Sequence, residues 1–326
     1  MAYERGILEK SVFETPVAVV DLETTGLTAG RDRIVEISVV RVEPGQEPTF
    51  AMDTLVNPMR RVAATEIHGI TDTDVANAPR FADVAGDFVA ALSGCVVAAY
   101  NVYFDMRFIT SELRDIGIQC QIPHFCLMYM RPMLGLGKRC RLAQVCEEHG
   151  VEYDESHVAA EDAMAAARLL THYYSHIRNT GVSTFEELAE LGTYKFVSSF
   201  RKAPLPAPCD LGLTCGCRLL SRSIESGTMP APPPAMRREV NPLKAYWDAL
   251  LVVLADLEID EEEMGYIVEQ RAKLKLQEEQ VRALHARVFS SVIAQFVDDQ
   301  WLDDKEAFKL RRLHRCLAQL GWAPGQ

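Results

Sequence analysis

Apolar and polar positions follow two different rhythms along this chain. Val17-Ala-Val-Val20 is a short unbroken apolar run that ends in an acidic, glycine-closed turn, Asp21-Leu-Glu-Thr-Thr-Gly26. Arg33 to Val42 alternates with β-branched residues, and Thr49 to Val56 predicts a third strand. Phe81 to Leu92 then carries apolar residues at helical spacing, and Cys95 to Tyr100 reads as another buried strand. Helices are predicted from about Phe104 to Gly117, from Arg141 to Gly150 and from Val158 to Ser175. Strands first, then strands mixed with helices, predict an α/β fold with a mixed sheet flanked by helices.

The rhythm stops after this region. Proline gathers in KAPLPAPCD and TMPAPPPAM, and Lys195, Arg201, Lys202, Arg218, Arg222, Arg237 and Arg238 outnumber Asp210, Glu225 and Glu239. Proline fixes φ and removes backbone donors, so residues 181–240 read as a semi-rigid, basic linker. From Asn241 onward the pattern is helical throughout. Asp256-Leu-Glu-Ile-Asp-Glu-Glu-Glu263 recurs in altered form as Asp299-Gln-Trp-Leu-Asp-Asp-Lys-Glu306, with Ile267 matching Leu310 and Leu274 matching Leu317. In each copy an acidic turn starts the next helix, which suits a helix N-terminus. The expected division is an α/β domain over 1–180, the linker over 181–240 and an all-α bundle over 241–326.

Composition narrows the function. The chain has 326 residues, 48% hydrophobic and 25% charged, with a net charge of -12. That balance argues against a binder relying on bulk positive charge, while leaving room for a local basic strip. No apolar run reaches the roughly 18 residues of a membrane helix, and MAYERGILEK lacks the apolar core of a signal peptide. Nine cysteines, an odd number without framework spacing, fit a reducing compartment. The expectation is a cytoplasmic protein with no membrane partner.

Three acidic groups carry the candidate chemistry. Asp21 and Glu23 stand two apart at a strand end, so both carboxylates share one face. Like charges this close repel, and a divalent cation relieves the repulsion. Hard oxygen ligands without clustered Cys or His favour Mg²⁺ or Mn²⁺ over zinc. The second group, Asn101-Val-Tyr-Phe-Asp105, puts an aspartate at the start of a helix just past a strand. In the third, His157-Val-Ala-Ala-Glu-Asp162, a histidine precedes a helix and Asp162 sits in its early turns, ahead of an Ala-rich stretch suited to close packing on a sheet. Each group alone has a plain reading as a strand or helix cap.

In order, D-x-E, N-x-x-x-D and H-x4-D, carried by VVDLETTGL, AAYNVYFDMRFI and HVAAEDAMAAARLL, resemble the DEDD superfamily of 3′–5′ exonucleases. The histidine marks its DnaQ-like branch, which includes the epsilon subunit of DNA polymerase III. The resemblance covers roughly residues 14–180, and Glu66-Ile-His-Gly-Ile-Thr71 is similar to the segment after the third strand in this family. It implies a ribonuclease-H-like fold in which Asp21, Glu23, Asp105 and Asp162 hold two divalent ions, Mg²⁺ or Mn²⁺. It also implies that His157 is the general base toward the attacking water, a task its ordinary pKa suits. Glu161 projects away from Asp162 on the helix and receives no metal role. Thr24, Thr25 and Asn101 are expected to position the terminal nucleotide or satisfy the turns.

The implied substrate is a nucleic acid with a free 3′ end, DNA ahead of RNA, within a polymerase or repair complex. Discrimination at the 2′-hydroxyl depends on pocket shape, so the sequence leaves the sugar open. A binding or scaffold protein that recruits partners through its helical domain is the alternative. The last 86 residues resemble TerB-like helical domains through their paired acidic turns. That likeness implies divalent-metal binding by Asp256, Asp260, Glu263, Asp299, Asp303 and Glu306, against a plainer reading as helix caps.

Overall fold

In the computed structural model, residues 6–153, 158–215, 241–254, 259–296 and 304–323 are described. Five strands, β1 (Val17–Thr24), β2 (Ile34–Val42), β3 (Thr49–Leu55), β4 (Val96–Ala99) and β5 (His124–Cys126), form one sheet in the order β3-β2-β1-β4-β5. β1 pairs antiparallel with β2 and parallel with β4; β3 extends the antiparallel side and β5 the parallel side. The unbroken apolar run of β1 follows from this central place. A strand covered on both faces has no solvent side that requires alternation, and Val17, Ala18, Val19 and Val20 are all buried.

The helices up to residue 190 are α1 (Thr65–His68), α2 (Asp72–Val75), α3 (Phe81–Leu92), α4 (Val102–Asp115), α5 (Leu127–Met133), α6 (Leu142–His149), α7 (Ala159–Asn179) and α8 (Phe185–Glu190). α7 lies against β1 and β2, and α3 against β2 and β3. The alanines expected to allow close packing do so: Ala163, Ala166 and Ala167 of α7 are buried in the main core. The result is a mixed, ribonuclease-H-like sheet flanked by helices, with a separate helical region at the C-terminal side.

Two stretches differ from the pattern-based expectation. Gln119 to Phe125 has no readable period, yet it delivers β5, a three-residue edge strand. Residues 185–211 lie inside the expected linker, but Phe185, Phe196, Phe200 and Leu205 pack into the sheet domain's core. Aromatic anchors at irregular spacing bury area without generating a period, which is why composition alone marked this segment as linker. Ser199 fixes it to the sheet edge: its hydroxyl donates to His124 O at 2.8 Å and accepts from His124 N at 2.9 Å. That contact covers an otherwise open strand edge.

After residue 240 come α9 (Pro242–Val253), α10 (Glu261–Lys273), α11 (Glu278–Phe296) and α12 (Asp304–Gln319). Asn241 caps α9 by accepting from Leu243 N, with Pro242 in the first turn. Asp260 and Glu263 form a reciprocal capping box at the start of α10. The apolar faces of these helices meet in a core of Tyr246, Trp247, Leu250, Ile267, Leu284 and Leu317. Leu27, Ala64 and Ile67 of the sheet domain belong to the same core. Among the described residues, no helix is long and apolar enough to cross a membrane.

Candidate active site

β1 carries the first two acids to the carboxyl end of the central strand, where α/β sheets place their ligands. Asp21 pairs in register with Ser38 and Glu23 with Glu36, so the two carboxylates share one face, and a β-bulge follows directly after Glu23. The turn beyond is fixed by Asp32, which accepts from Thr28 N at 2.9 Å and from the Thr25 hydroxyl at 3.2 Å. Gly26 is required there, because a Cβ would lie 2.5 Å from Asp32 Oδ2. Thr24 donates to Gly26 O at 2.6 Å and lines the site cavity. Thr25 is occupied with Asp32 and with the Arg33 amide, so its hydroxyl serves the turn.

Asp105 and Asp162 enter from two helices. Asp105 projects from the first turn of α4, just after Asn101, and both line the cavity. Asp162 projects from the first turn of α7. Glu36 accepts from Ala159 N at 3.4 Å at that helix start, where the helix dipole favours an acid. Asp21, Glu23 and Asp162 each offer a carboxylate oxygen, all within 4.8 Å of one another, and Asp105 lines the same cavity. His157 lies outside the described residues. His68 also lines the cavity; its ring accepts from Ile70 N at 3.0 Å and donates to Ala63 O at 3.1 Å.

The electrostatics register the crowding. Burial raises the Asp21 carboxyl well above its ordinary range, reinforced by Asp162, Asp105 and Glu23. Asp105 is pushed up to about 8, first by burial, with Glu23 adding to it. Asp162 is pushed up to about 7 by burial, against the opposing pull of Lys244 and of a hydrogen bond from Tyr153. Charge in this pocket therefore needs compensation. A set of hard, closely spaced oxygen donors is what a divalent cation such as Mg²⁺ or Mn²⁺ takes, so the residues present fit the implied metal.

Three participants escaped sequence reasoning. The Tyr153 hydroxyl donates to Asp162 Oδ1 at 2.5 Å. Lys244 of α9 reaches Glu23 Oε1 at 3.6 Å and Asp248 Oδ1 at 3.0 Å. Burial opposes the Lys244 charge, but Asp248, Glu23, Asp162 and Asp21 outweigh it and hold its pKa well above normal. Asp248 lines the cavity beside it. The Lys244/Asp248 spacing was visible as an ordinary i,i+4 helix pair, and nothing local tells that this helix face turns into a distant acidic site.

Of the metal set suggested for the C-terminal domain, only Asp260 and Glu263 have described side chains. Asp256, Asp299 and Asp303 lie outside the described residues, as does the Glu306 side chain. Asp260 caps α10 and lies 3.6 Å from Lys138, while Glu263 pairs with Arg139 at 2.9 Å.

Comparison with known proteins follows the same geography. Residues 18–170 match a family model described as Exonuclease. A DNA polymerase III subunit epsilon-like protein of Rhodobacter capsulatus is 32% identical over 189 residues, covering 54% of this chain and 27% of its own length. The DNA polymerase III subunit epsilon of Treponema pallidum is 32% identical over 163 residues, 48% of this chain and 75% of that protein. A solved structure of exonuclease X in complex with 5′ overhanging duplex DNA aligns with a TM-score of 0.42 at 24% identity, covering 54% of this chain and 99% of that one. The chain thus spans about a quarter of the Rhodobacter relative.

Proposed function

The chain belongs to the exonuclease family, and from that premise we propose that it is a metal-dependent 3′–5′ exonuclease releasing nucleoside monophosphates. The observation that carries this reading is the convergence of Asp21, Glu23 and Asp162, with oxygens within 4.8 Å, in one cavity with Asp105. We assign these four residues to hold two divalent cations, Mg²⁺ or Mn²⁺. When bound, such ions supply positive charge at the attacking and leaving oxygens of an in-line phosphoryl displacement.

The chain's own residues do the rest. His157, assigned from the H-x4-D motif, takes the proton of the attacking water; its ordinary pKa near 6.5 suits a base at neutral pH. Tyr153 orients the Asp162 carboxylate. Thr24 and Asn101, on the cavity wall, are read as contacts for the terminal nucleotide. DNA is put ahead of RNA, and a polymerase complex is the proposed setting, because the relatives are named as polymerase III subunits. Clustering repelling carboxylates costs stability, which counts against an idle scaffold. The helical region from 241 onward is read as a distinct, TerB-like unit on its paired acidic helix starts.

The test is a 5′-labelled single strand in Mg²⁺ or Mn²⁺. Stepwise shortening with monophosphate release is expected, abolished by Asp21→Ala or Asp162→Ala. No shortening by the wild type and by Lys244→Met alike defeats the proposal. Matched DNA and RNA oligonucleotides, with Asp105→Ala as control, decide the sugar.

A further inference from the structure

α9 lies across the mouth of the acidic site. Lys244, Trp247, Asp248, Leu251 and Val252 share the cavity with Asp21, Glu23, Asp105 and Asp162. The space left is about 120 Å³, well below the roughly 300–1,000 Å³ of clefts that take small-molecule ligands. α9 thus narrows the room that a nucleotide would need beside the acids. The Lys244 ammonium sits among the acids with only 14% of its side chain exposed, 3.6 Å from Glu23. It stands where compensating positive charge is most needed.

The seat of this helix is built for the contact. Beneath it, Trp247 and Leu250 share an apolar core with Leu27, Ala64 and Ile67. At the rim, Asn241 Nδ2 donates to Glu66 O at 2.6 Å and to Ile67 O at 2.8 Å. Arg287 of α11 pairs with the Glu66 carboxylate, and the Thr28 hydroxyl donates to Ser291 O at 3.1 Å. On the other side Arg139 holds Glu263 at 2.9 Å. A small shared core ringed by polar, partly solvated pairs is the character of an interface that can open, as interfaces between domains of one chain commonly do.

We propose that the C-terminal helical unit is a built-in cover of the acidic site, with Lys244 as its resident counter-cation, and that divalent cation and 3′ strand end reach the acids only as α9 withdraws. This rests on the exonuclease reading above. A single ammonium offsets part of the carboxylate charge, so the covered state carries less self-repulsion without metal. Ligands that bind only the uncovered state shift the population toward it by their differential affinity. The unit is thereby an autoinhibitory element whose release couples metal loading to strand entry.

The test uses the full chain and reads Mn²⁺ binding by calorimetry or by loss of the free-ion electron paramagnetic resonance signal. Lys244→Met should bind Mn²⁺ about tenfold more tightly than wild type, since a charge a few ångströms from the site no longer competes, and should shorten oligonucleotides faster. Arg139→Glu and Glu263→Arg, which break a rim contact outside the acidic cavity, should each tighten Mn²⁺ binding, and the double exchange should restore the wild-type value. Hydrogen exchange across 242–253 should speed up when Mn²⁺ and a phosphorothioate-linked single strand are added to wild type. Equal Mn²⁺ affinity in wild type, Lys244→Met and the rim variants, all folded by circular dichroism, overturns the cover while leaving the exonuclease reading intact. Unchanged protection of 242–253 at saturating strand overturns it as well. Absence of both Mn²⁺ binding and shortening in wild type and Lys244→Met alike overturns the exonuclease reading and the cover with it.

Discussion

The hydroxyl of Tyr153 donates to Asp162 Oδ1 at 2.5 Å, tying the segment before α7 to a carboxylate in that helix's first turn. The bond lowers the Asp162 pKa, against the burial that raises it to about 7. Removing the hydroxyl therefore moves that pKa further up, and a larger fraction of Asp162 is protonated at neutral pH. Tyr153→Phe is expected to cost about 10–100-fold in metal affinity or turnover, the usual effect of losing a group that orients a ligand. The loss should be larger at pH 6.5 than at pH 8.5, which a pH–rate profile of the two proteins reads directly.

A second tie stabilises the frame. Arg33, at the entry to β2, makes a two-pronged contact with Glu112 of α4, its Nε donating to Oε1 at 2.7 Å and its Nη2 to Oε2. Glu112 is buried, whereas the Arg33 side chain is about one-third exposed. Hydrogen bonds to charged groups contribute roughly 1.5–3 kcal/mol, and solvent reaching Arg33 brings the expected cost toward the lower end. Glu112→Ala should lose about 2 kcal/mol by denaturant titration and Glu112→Gln less, since the amide keeps one acceptor.

Much of this architecture was legible in the sequence, for physical reasons that also mark where reading failed. Val17 to Val20 announces a strand because burial on both faces leaves an unbroken apolar run, and Arg33 to Val42 announces one by its β-branched residues, although β2 is buried on both faces as well. The Asp21/Glu23 pair was readable because spacing of two on a strand is geometry, not context. β5 was not, since three residues at a sheet edge generate no period. Phe196 and Phe200 were hidden in a proline-rich stretch, their burial decided by shape complementarity with the sheet domain. Lys244 was the least legible: its position beside Glu23 depends on how two units more than two hundred residues apart dock.

Burial of His285 on α11 gives a stability prediction separate from catalysis. Burial, with Arg271 nearby, lowers its pKa from 6.5 to about 4, and its Nε2 lies 3.1 Å from the Tyr246 hydroxyl. The neutral ring is the form the fold accepts. Its contribution is complete above pH 6.5 and is lost as pH falls through about 4, because the unfolded chain takes up the proton first. The lowering corresponds to at most roughly 3 kcal/mol. His285→Phe should flatten the fall in melting temperature between pH 6.5 and pH 4 relative to wild type; parallel curves for the two proteins would refute this assignment.

Asp21 sets function against stability. Its carboxyl is raised well above the ordinary range by burial and by Asp162, Asp105 and Glu23. A raised acid stabilises the fold when protonated, below its unfolded pKa, and that contribution is lost as pH rises through the folded value. Without metal, the Asp21 carboxyl therefore costs stability as pH rises above its unfolded pKa. Asp21→Asn removes the charge but keeps the shape, so in EDTA the variant should melt a few degrees above wild type, with about 1 kcal/mol equivalent to roughly 2–4 °C for a domain of this size. Mn²⁺ should reverse the order, raising the wild-type melting temperature by mass action while leaving the variant nearly unmoved. Exonuclease turnover of the variant should fall by more than about 100-fold, beyond what losing an orienting neighbour costs. A variant less stable than wild type in EDTA would mean that the Asp21 charge is satisfied by the protein itself, and the need for a cation at this site would be gone.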